Sequence, residues 1–544
     1  MSEGVGTEID KPLAVSSSEH EEVTVITTGE ARGALGHSAV AYGPDGVRGL
    51  FSSGYVFGAA FLASLGGFSF GYDQGVISII NVMDQFHTVF PQTKTPFGTG
   101  FMTGMLLLGA FVGCLFMPYL ADKISRKWAL TIVVVIFDIG AIIQTAAQDY
   151  AMLVAGRAIG GIGTAPLYIS EISPPNLRGT LLVLESVSIV SGVVIAYWIT
   201  FGTRLLEGDI SFRLPLGLQM VCATLLGICI HIFPYSPRWL ALVGRSQECM
   251  ASLAKLRNLP STDERVQAEY HGILAEITFQ RLVEERNHPG VKGWKLEAYS
   301  WLDLLKKKNW RRTSVAVGVN FFQQFSGINA FIYYAPTLFQ SLGQSGEMSL
   351  ILSGVFNILQ LVGVFICIAT IDRVGRRPLA IIGGFGCAIC YMIIAILSGL
   401  FSHDWLAHTE AGWAAVAFAF LFILVFGVSY SPLGWALPSE VFTTASRSKG
   451  VALSTCLNWL SNFVIGVATP PMMATQGYRT YIFFTVWCFL AGVWALLLVP
   501  ETKGKTLEEM DEVFGDLQGL SERELMRSAI DSVRQGVVMD EPRV

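Results

Sequence analysis

The chain has 544 residues, 52% of them hydrophobic and only 15% charged, with a net charge of −5 at pH 7 and a mean hydropathy of +0.51. Soluble domains carry about 25% charged residues, so an ordinary soluble enzyme is excluded; the net charge comes largely from the tails and says little about partners, and no nucleic-acid partner is expected. Nine cysteines, lying mostly inside the apolar blocks, support neither a disulfide framework nor a zinc site.

The first fifty residues are polar and acidic, with Glu19, Glu21 and Glu22, and lack the apolar core of a signal peptide. Residues 1–50 therefore read as a disordered cytosolic tail. Twelve apolar blocks follow, each of about 20 residues, the length that crosses a bilayer as a helix. They begin near Tyr55, Gly100, Trp128, Ala151, Thr180, Leu214, Arg312, Met348, Pro378, Gly412, Gly450 and Tyr481. The expected fold is an all-α membrane protein in two bundles of six helices, 51–233 and 312–500. Between them, 234–311 is charged, its apolar residues recur at helical spacing, and it reads as a cytosolic linker of short amphipathic helices. The segment 501–544 reads as a cytosolic C-terminal tail: "TLEE" is a capping box in which Thr506 and Glu509 start a short helix, and a polar, mobile end follows.

Alternate short loops carry Lys123, Arg126, Lys127, Arg178, Arg373, Arg376, Arg377, Arg447 and Lys449, against Lys94, Arg204, Arg213 and Arg479 in the opposite set. This excess puts the first set and both termini in the cytosol. The two halves also repeat. "LADKISRKWAL" at 120–130 matches "TIDRVGRRPLA" at 370–380, and Ser-Glu is followed seven residues later by Arg in both Glu171/Arg178 and Glu440/Arg447. Ordered repeats of this kind imply a duplicated bundle, as in secondary transporters.

Inside the first block stands Asp73, and a carboxylate in lipid marks function by default, usually an ion path. Arg157 in the fourth block is its obvious partner, with a purely structural ion pair as the alternative. In the seventh block, "NFFQQFSGINAFIYYAP" at 320–336 sets amides in an apolar run. At about 100° per residue, Asn320, Gln323, Gly327 and Tyr334 share a face, whereas Asn329 points about 120° away from Gln323. The amides converge on one ligand only if the helix unwinds near Ser326-Gly327, as transporters do at their substrate sites. Amides donate and accept without a charge to desolvate, which suits sugar hydroxyls. The alternative is hydrogen bonding between helices.

The stretches "GGFSFGYDQGVIS", "GRAIGGIG", "PLYISEISPPNLRG", "PYSPRWL", "QQFSGINAFIYY", "DRVGRRPL", "SPLGWALPSE" and "PETKGKTLEE" occur in that order. With them the chain resembles the sugar porter family of the major facilitator superfamily from about Gly54 to Phe514, most closely its fungal hexose and pentose carriers. The resemblance implies a major facilitator fold and monosaccharide transport by alternating access, without enzymatic chemistry, cofactor or metal. It makes Gln323, Gln324, Asn329, Tyr334, Asn357, Trp435 and Asn458 the sugar contacts, and Asp73 with Arg157 the site of a coupling proton. Glu171, Arg178, Arg238, Asp372, Arg376, Glu440 and Arg447 become a cytosolic gate. The expected partners are a sugar, a proton and the bilayer of a plasma membrane, for a monomer. A passive uniporter and a weakly transporting sugar sensor are the alternatives.

The chain departs from this family in two places. Where the fifth helix commonly carries Gln seven or eight residues after the "RG" arginine, Glu185 and Ser186 stand here. The fourth helix is about six residues short between Arg157 and Glu171, a loss of about 9 Å and 120°. Three outcomes are open: Arg157 lies shallower, the helix is distorted, or the gene model is faulty. "GGFSFG" at 66–71 looks like a motif linked with pentose acceptance, and it also fits close packing of small residues.

Overall fold

The computed structural model describes residues 54–163, 178–307, 309–443, 445–505, 507–514 and 519–535. The first half contains α1 (Gly54–Ile80), the short α2 (Asp84–Val89), α3 (Pro96–Ile124), α4 (Arg126–Ala146), α5 (Tyr150–Ile162), α6 (Arg178–Thr203) and α7 (Ile210–Cys229). Helices α8 (Pro237–Leu242), α9 (Ser246–Arg257), α10 (Glu264–Asn287) and α11 (Trp294–Asp303) form the linker. The second half contains α12 (Trp310–Phe325), α13 (Ile328–Ser341), α14 (Gly346–Val374), α15 (Arg376–Phe401), α16 (Thr409–Val428), α17 (Tyr430–Val441), α18 (Arg447–Gln476) and α19 (Arg479–Leu498). Two tail helices, α20 (Leu507–Phe514) and α21 (Gly519–Arg534), follow.

Among the described residues, nine helical stretches are long and apolar enough to cross a membrane. Helix α1, the 13-residue α5 and the broken pair α12–α13 occupy the remaining three places of a twelve-helix arrangement. The halves meet along α3 with α18 and α6 with α14. On the face opposite the linker, Arg204 forks onto Glu347 at 3.0 and 2.8 Å, and the Tyr197 hydroxyl donates to the Leu350 carbonyl at 2.6 Å. These bonds tie α6 to α14 across the seam.

The tightest pairing inside the first half is α1 on α6. A Cβ at Gly71 would lie 1.8 Å from the Ile189 carbonyl oxygen, so only glycine lets the two backbones touch there. Gly67 and Gly75, one turn either side, face Glu185 and Val193 of α6 in the same manner. Gly67 and Gly71 of "GGFSFG", with Gly75 beyond it, thus serve helix approach.

The tail differs from the mobile segment expected. Helix α21 packs on α10, burying Ala529 and Val533 against Phe279, Val283 and Ile277, with Leu525 and Met526 alongside. Leu525, Met526, Ala529, Ile530 and Val533 recur at helical spacing and make one apolar face, which drives the docking. Thr506 lies outside the described residues.

Candidate functional site

Helix α12 ends at Phe325, and Gly327 takes φ +83°, a left-handed conformation that turns the chain before α13 resumes at Ile328. The break falls where the poor helix formers Ser326 and Gly327 stand. A side chain at Gly327 would also meet Phe484 and the Tyr391 hydroxyl at 2.7 Å. The turn swings Asn329 back onto the preceding helix, where its Nδ2 donates to Gln324 Oε1 at 2.5 Å. Gln324 Nε2 donates to Asn458 Oδ1 at 3.1 Å, and Asn458 Nδ2 donates to Asn320 Oδ1 and Gln323 Oε1, both at 2.7 Å. Gln323 Nε2 in turn donates to the carbonyls of Tyr430 and Ser431 at 2.9 and 3.2 Å. Five amides form one relay through α12, α13 and α18, closed on the first residues of α17.

The relay borders a cavity of about 80 Å³ between the halves. At about 10–15 Å³ per water, that is room for roughly half a dozen waters. Gln323, Gln324, Asn329, Trp435 and Asn458 line it from the second half, and Phe70, Gln74, Ser186, Ile189 and Val190 from the first. Nothing in the lining is charged. Two lining acceptors, Gln360 Oε1 on α14 and Asn462 Oδ1 on α18, are buried without a hydrogen-bond partner among the described residues. Bare acceptors of this kind cost about 1–3 kcal/mol each, so the cavity calls for a polar occupant.

Of the residues expected from the sequence, Tyr334 and Asn357 stand apart from this lining. The Tyr334 hydroxyl donates to the Gly466 carbonyl at 2.7 Å and so joins α13 to α18. Asn357 is buried on α14 one turn before Gln360, with its Oδ1 unpartnered among the described residues. Sequence reasoning missed Gln74, Gln360 and Asn462. Helical spacing could have found the last two, since Gln360 is i+3 from Asn357 and Asn462 is i+4 from Asn458.

Asp73 and Arg157 face each other inside the first half, fully buried, with Arg157 Nη1 3.7 Å from Asp73 Oδ1. That is an ion contact longer than a hydrogen bond. Arg157 Nη1 also donates to Gln144 Oε1 at 3.4 Å, and both Asp73 oxygens lack a hydrogen bond among the described residues. Arg157 has therefore not withdrawn from Asp73. Helix α5 covers about 20 Å at 1.5 Å per residue and ends at Ile162. Residues 164–177, which include most of the stretch between Arg157 and Glu171, lie outside the described residues.

Glu171 lies outside the described residues, as do the side chains of Arg178 and Asp372. On the linker face Arg126 pairs with Asp122 at 2.5 Å, and Arg238 pairs with Glu276 of α10 at 2.6 Å. Arg376 Nη2 reaches Glu440 Oε1 at 2.9 Å, while the Thr502 hydroxyl donates to Glu440 Oε2 at 2.5 Å. Arg447 opens α18, and Lys449 pairs with Glu297 of α11.

Glu501 caps this cluster by accepting from the backbone N–H groups of Arg376, Arg377, Thr502 and Lys503 at 2.9–3.2 Å. Partial burial alone would raise its pKa, but the four N–H donors outweigh it and hold the carboxyl below its ordinary 4.5. A depressed pKa contributes stability that is complete above the unfolded value and lost as pH falls through the folded one. Thermal unfolding of the purified protein is expected to be level in this respect from pH 7 to about pH 5 and to drop below the ordinary 4.5. Glu501→Gln should flatten that drop; an equal drop in both proteins would remove Glu501 as its source.

The family description "Sugar (and other) transporter" matches residues 59–514. The chain is 33% identical over 486 residues to the "High-affinity glucose transporter" of Kluyveromyces lactis, covering 85% of each chain. It is 31% identical to "Sugar transport protein 13" of Arabidopsis thaliana, covering 83% of this chain and 87% of that one. Among solved structures it resembles the proton:xylose symporter XylE bound to 6-bromo-6-deoxy-D-glucose, at 26% identity and a TM-score of 0.68, over 85% of this chain and 99% of that one. A partially occluded inward-open form of XylE from E. coli gives a TM-score of 0.67 at 24% identity, over 84% and 100%. Members of this family are transporters rather than enzymes, and the broken helix, the inter-half cavity and the twelve-helix arrangement agree with them. The chain belongs to the sugar porter family of the major facilitator superfamily.

Proposed function

We propose that this carrier moves a monosaccharide, a hexose or a pentose, across a plasma membrane by alternating access, in symport with a proton. The observation that carries the sugar reading is the uncharged, amide-lined cavity between the halves, with Gln360 Oε1 and Asn462 Oδ1 unpartnered among the described residues. Hydroxyls both donate and accept, so a sugar satisfies such a lining, and the Trp435 ring offers a flat apolar surface to its C–H face. Because the cavity lies between the halves, sugar enters as they part and the amide relay exchanges internal bonds for bonds to the ligand. The linker face is read as cytosolic, and the Arg204–Glu347 pair closes the outer side. The relatives named glucose transporter and proton:xylose symporter support the substrate class and the coupling ion.

Coupling rests on Asp73. Its carboxylate is buried against Arg157 without a hydrogen bond among the described residues. One proton from the outer medium neutralises the acid, removes the attraction to Arg157, and frees α1 to move with the first half. The proton leaves on the inner side after the sugar. Expression in cells lacking their own hexose carriers, with growth on several sugars at two pH values, tests the reading. Asp73→Asn is expected to abolish uphill accumulation of labelled glucose or xylose while exchange across the membrane continues. Full retention of uphill uptake would remove the proton assignment, and absence of growth on any monosaccharide would remove the sugar.

A further inference from the structure

We propose that Gln74 and Tyr333 are the link that carries the protonation state of Asp73 across the seam to the sugar cavity, an inference that rests on the symport reading above. Gln74 directly follows Asp73 on α1, so the two move together, about 100° apart around the helix. Asp73 turns inward to Arg157, whereas Gln74 lines the cavity. Gln74 Nε2 donates to the Tyr333 hydroxyl in the other half at 3.3 Å.

Tyr333 collects contacts from both halves. Its hydroxyl also accepts from Asn462 Nδ2 at 3.2 Å, and its backbone carbonyl accepts from Asn81 Nδ2, just past α1, at 3.3 Å. Asn462 is the cavity residue whose Oδ1 is unpartnered among the described residues, and it lies one turn from Asn458, the hub of the amide relay. A path of single hydrogen bonds thus runs from the residue beside Asp73, through Tyr333, to the residue one turn from Asn458. Tyr333 itself is 2% exposed and stands outside the cavity lining. Such a residue positions its neighbours rather than contacting sugar.

The ionisable groups acting on Tyr333 are Asp73 and Arg157. Of the helices packed against α1, α6 contributes Glu185, about two turns nearer the linker face, and Tyr197; α7 contributes Cys222 beside Tyr72; and α13 contributes Tyr334, bonded to Gly466. Protonation of Asp73 adds one proton to that carboxylate and none to Tyr333. The displacement of α1 that follows changes the Gln74–Tyr333 bond, and Asn462 then turns with Tyr333. Sugar affinity is thereby tied to the charge on Asp73.

The test uses the full-length carrier in proteoliposomes with labelled D-glucose and D-xylose. Two quantities are measured for each variant: accumulation driven by an imposed pH gradient, and counterflow exchange without one. One hydrogen bond between membrane helices shifts an equilibrium by about three- to fifteenfold. Tyr333→Phe is expected to lower accumulation by about that factor, to keep exchange within about twofold, and to flatten the pH profile of sugar binding. Tyr333→Phe combined with Gln74→Leu should fall no lower than the worse single variant, because both break one link. Equal losses of accumulation and exchange would reduce Tyr333 to a structural role, and unchanged accumulation or multiplying losses would overturn the link. Should Tyr333→Phe fail to reach the membrane, Gln74→Met carries the same ratio of accumulation to exchange. A wild type without gradient-driven accumulation overturns the symport reading itself, and this inference with it.

Discussion

Asn458→Ala is expected to reduce sugar uptake by about a hundredfold or more while the carrier remains in the membrane. Asn458 is the hub of the relay: it accepts from Gln324 and donates to Asn320 and Gln323. Removing it leaves the Gln324 donor and two acceptors bare in a site 4% exposed at Asn458. Even two such orphaned groups, at about 1–3 kcal/mol each, amount to roughly 3 kcal/mol, or about a hundredfold in an equilibrium. The bound state suffers more than the free one. Without ligand the cavity has room for water at the deleted amide, whereas a sugar hydroxyl facing the substituted methyl group finds no partner. Uptake of labelled sugar in cells lacking hexose carriers, normalised to membrane level, checks this. If the amides served only to join helices, the variant would lose thermal stability and membrane level together, with an unchanged KM in what survives. That pattern would end the case for a sugar site here.

Much of this site was legible because its chemistry contrasts with its surroundings. Two glutamines, an asparagine and a glycine in a hydrocarbon-like block announce both a polar site and the place where the helix must break. Gly327 answers to that expectation through its positive φ. Gln74 was harder to see, since beside Asp73 it reads as an ordinary polar neighbour. Its importance lies in the direction it faces across the seam, and one sequence holds no record of which helices face one another. Tyr334 illustrates the same limit from the other side. It shares a helical face with Gln323 on an ideal straight helix, but the break at Gly327 and the kink at Tyr334 (φ −132°, ψ 21°), two residues before Pro336, rotate that face away. The face then meets Gly466. The tail helix α21 was legible and passed over, because its five apolar residues are spaced for a helix but diluted by charge.

Helix approach within the first half sets the second large effect, and it separates two glycines that open and close the same six-residue motif. Gly71→Ala is expected to destabilise the carrier severely, and Gly71→Val to remove it from the membrane, whereas Gly66→Ala should be tolerated. At Gly71 the added carbon would stand 1.8 Å from Ile189 O and 2.7 Å from Ile189 C, and a backbone cannot rotate out of the way as a side chain can. At Gly66 the nearest atom is Leu226 Cδ2 at 3.7 Å, an ordinary contact. Overpacking costs about 1–3 kcal/mol when side chains can yield, and here α1 and α6 must separate as whole helices, which puts Gly71→Ala at the upper end or beyond. Separation also reaches the chemistry. Helix α1 carries Asp73, already 3.7 Å from Arg157, and Gln74, 3.3 Å from the Tyr333 hydroxyl. An outward shift of about 1 Å takes both past useful contact. Any Gly71→Ala protein that survives should therefore accumulate sugar less well than it exchanges it. Thermal unfolding in detergent, membrane level and the ratio of accumulation to exchange measure the three consequences. Equal stability of Gly66→Ala and Gly71→Ala would mean that the two helices do not meet backbone to backbone, and the positions of Asp73 and Gln74 relative to the second half would lose their basis.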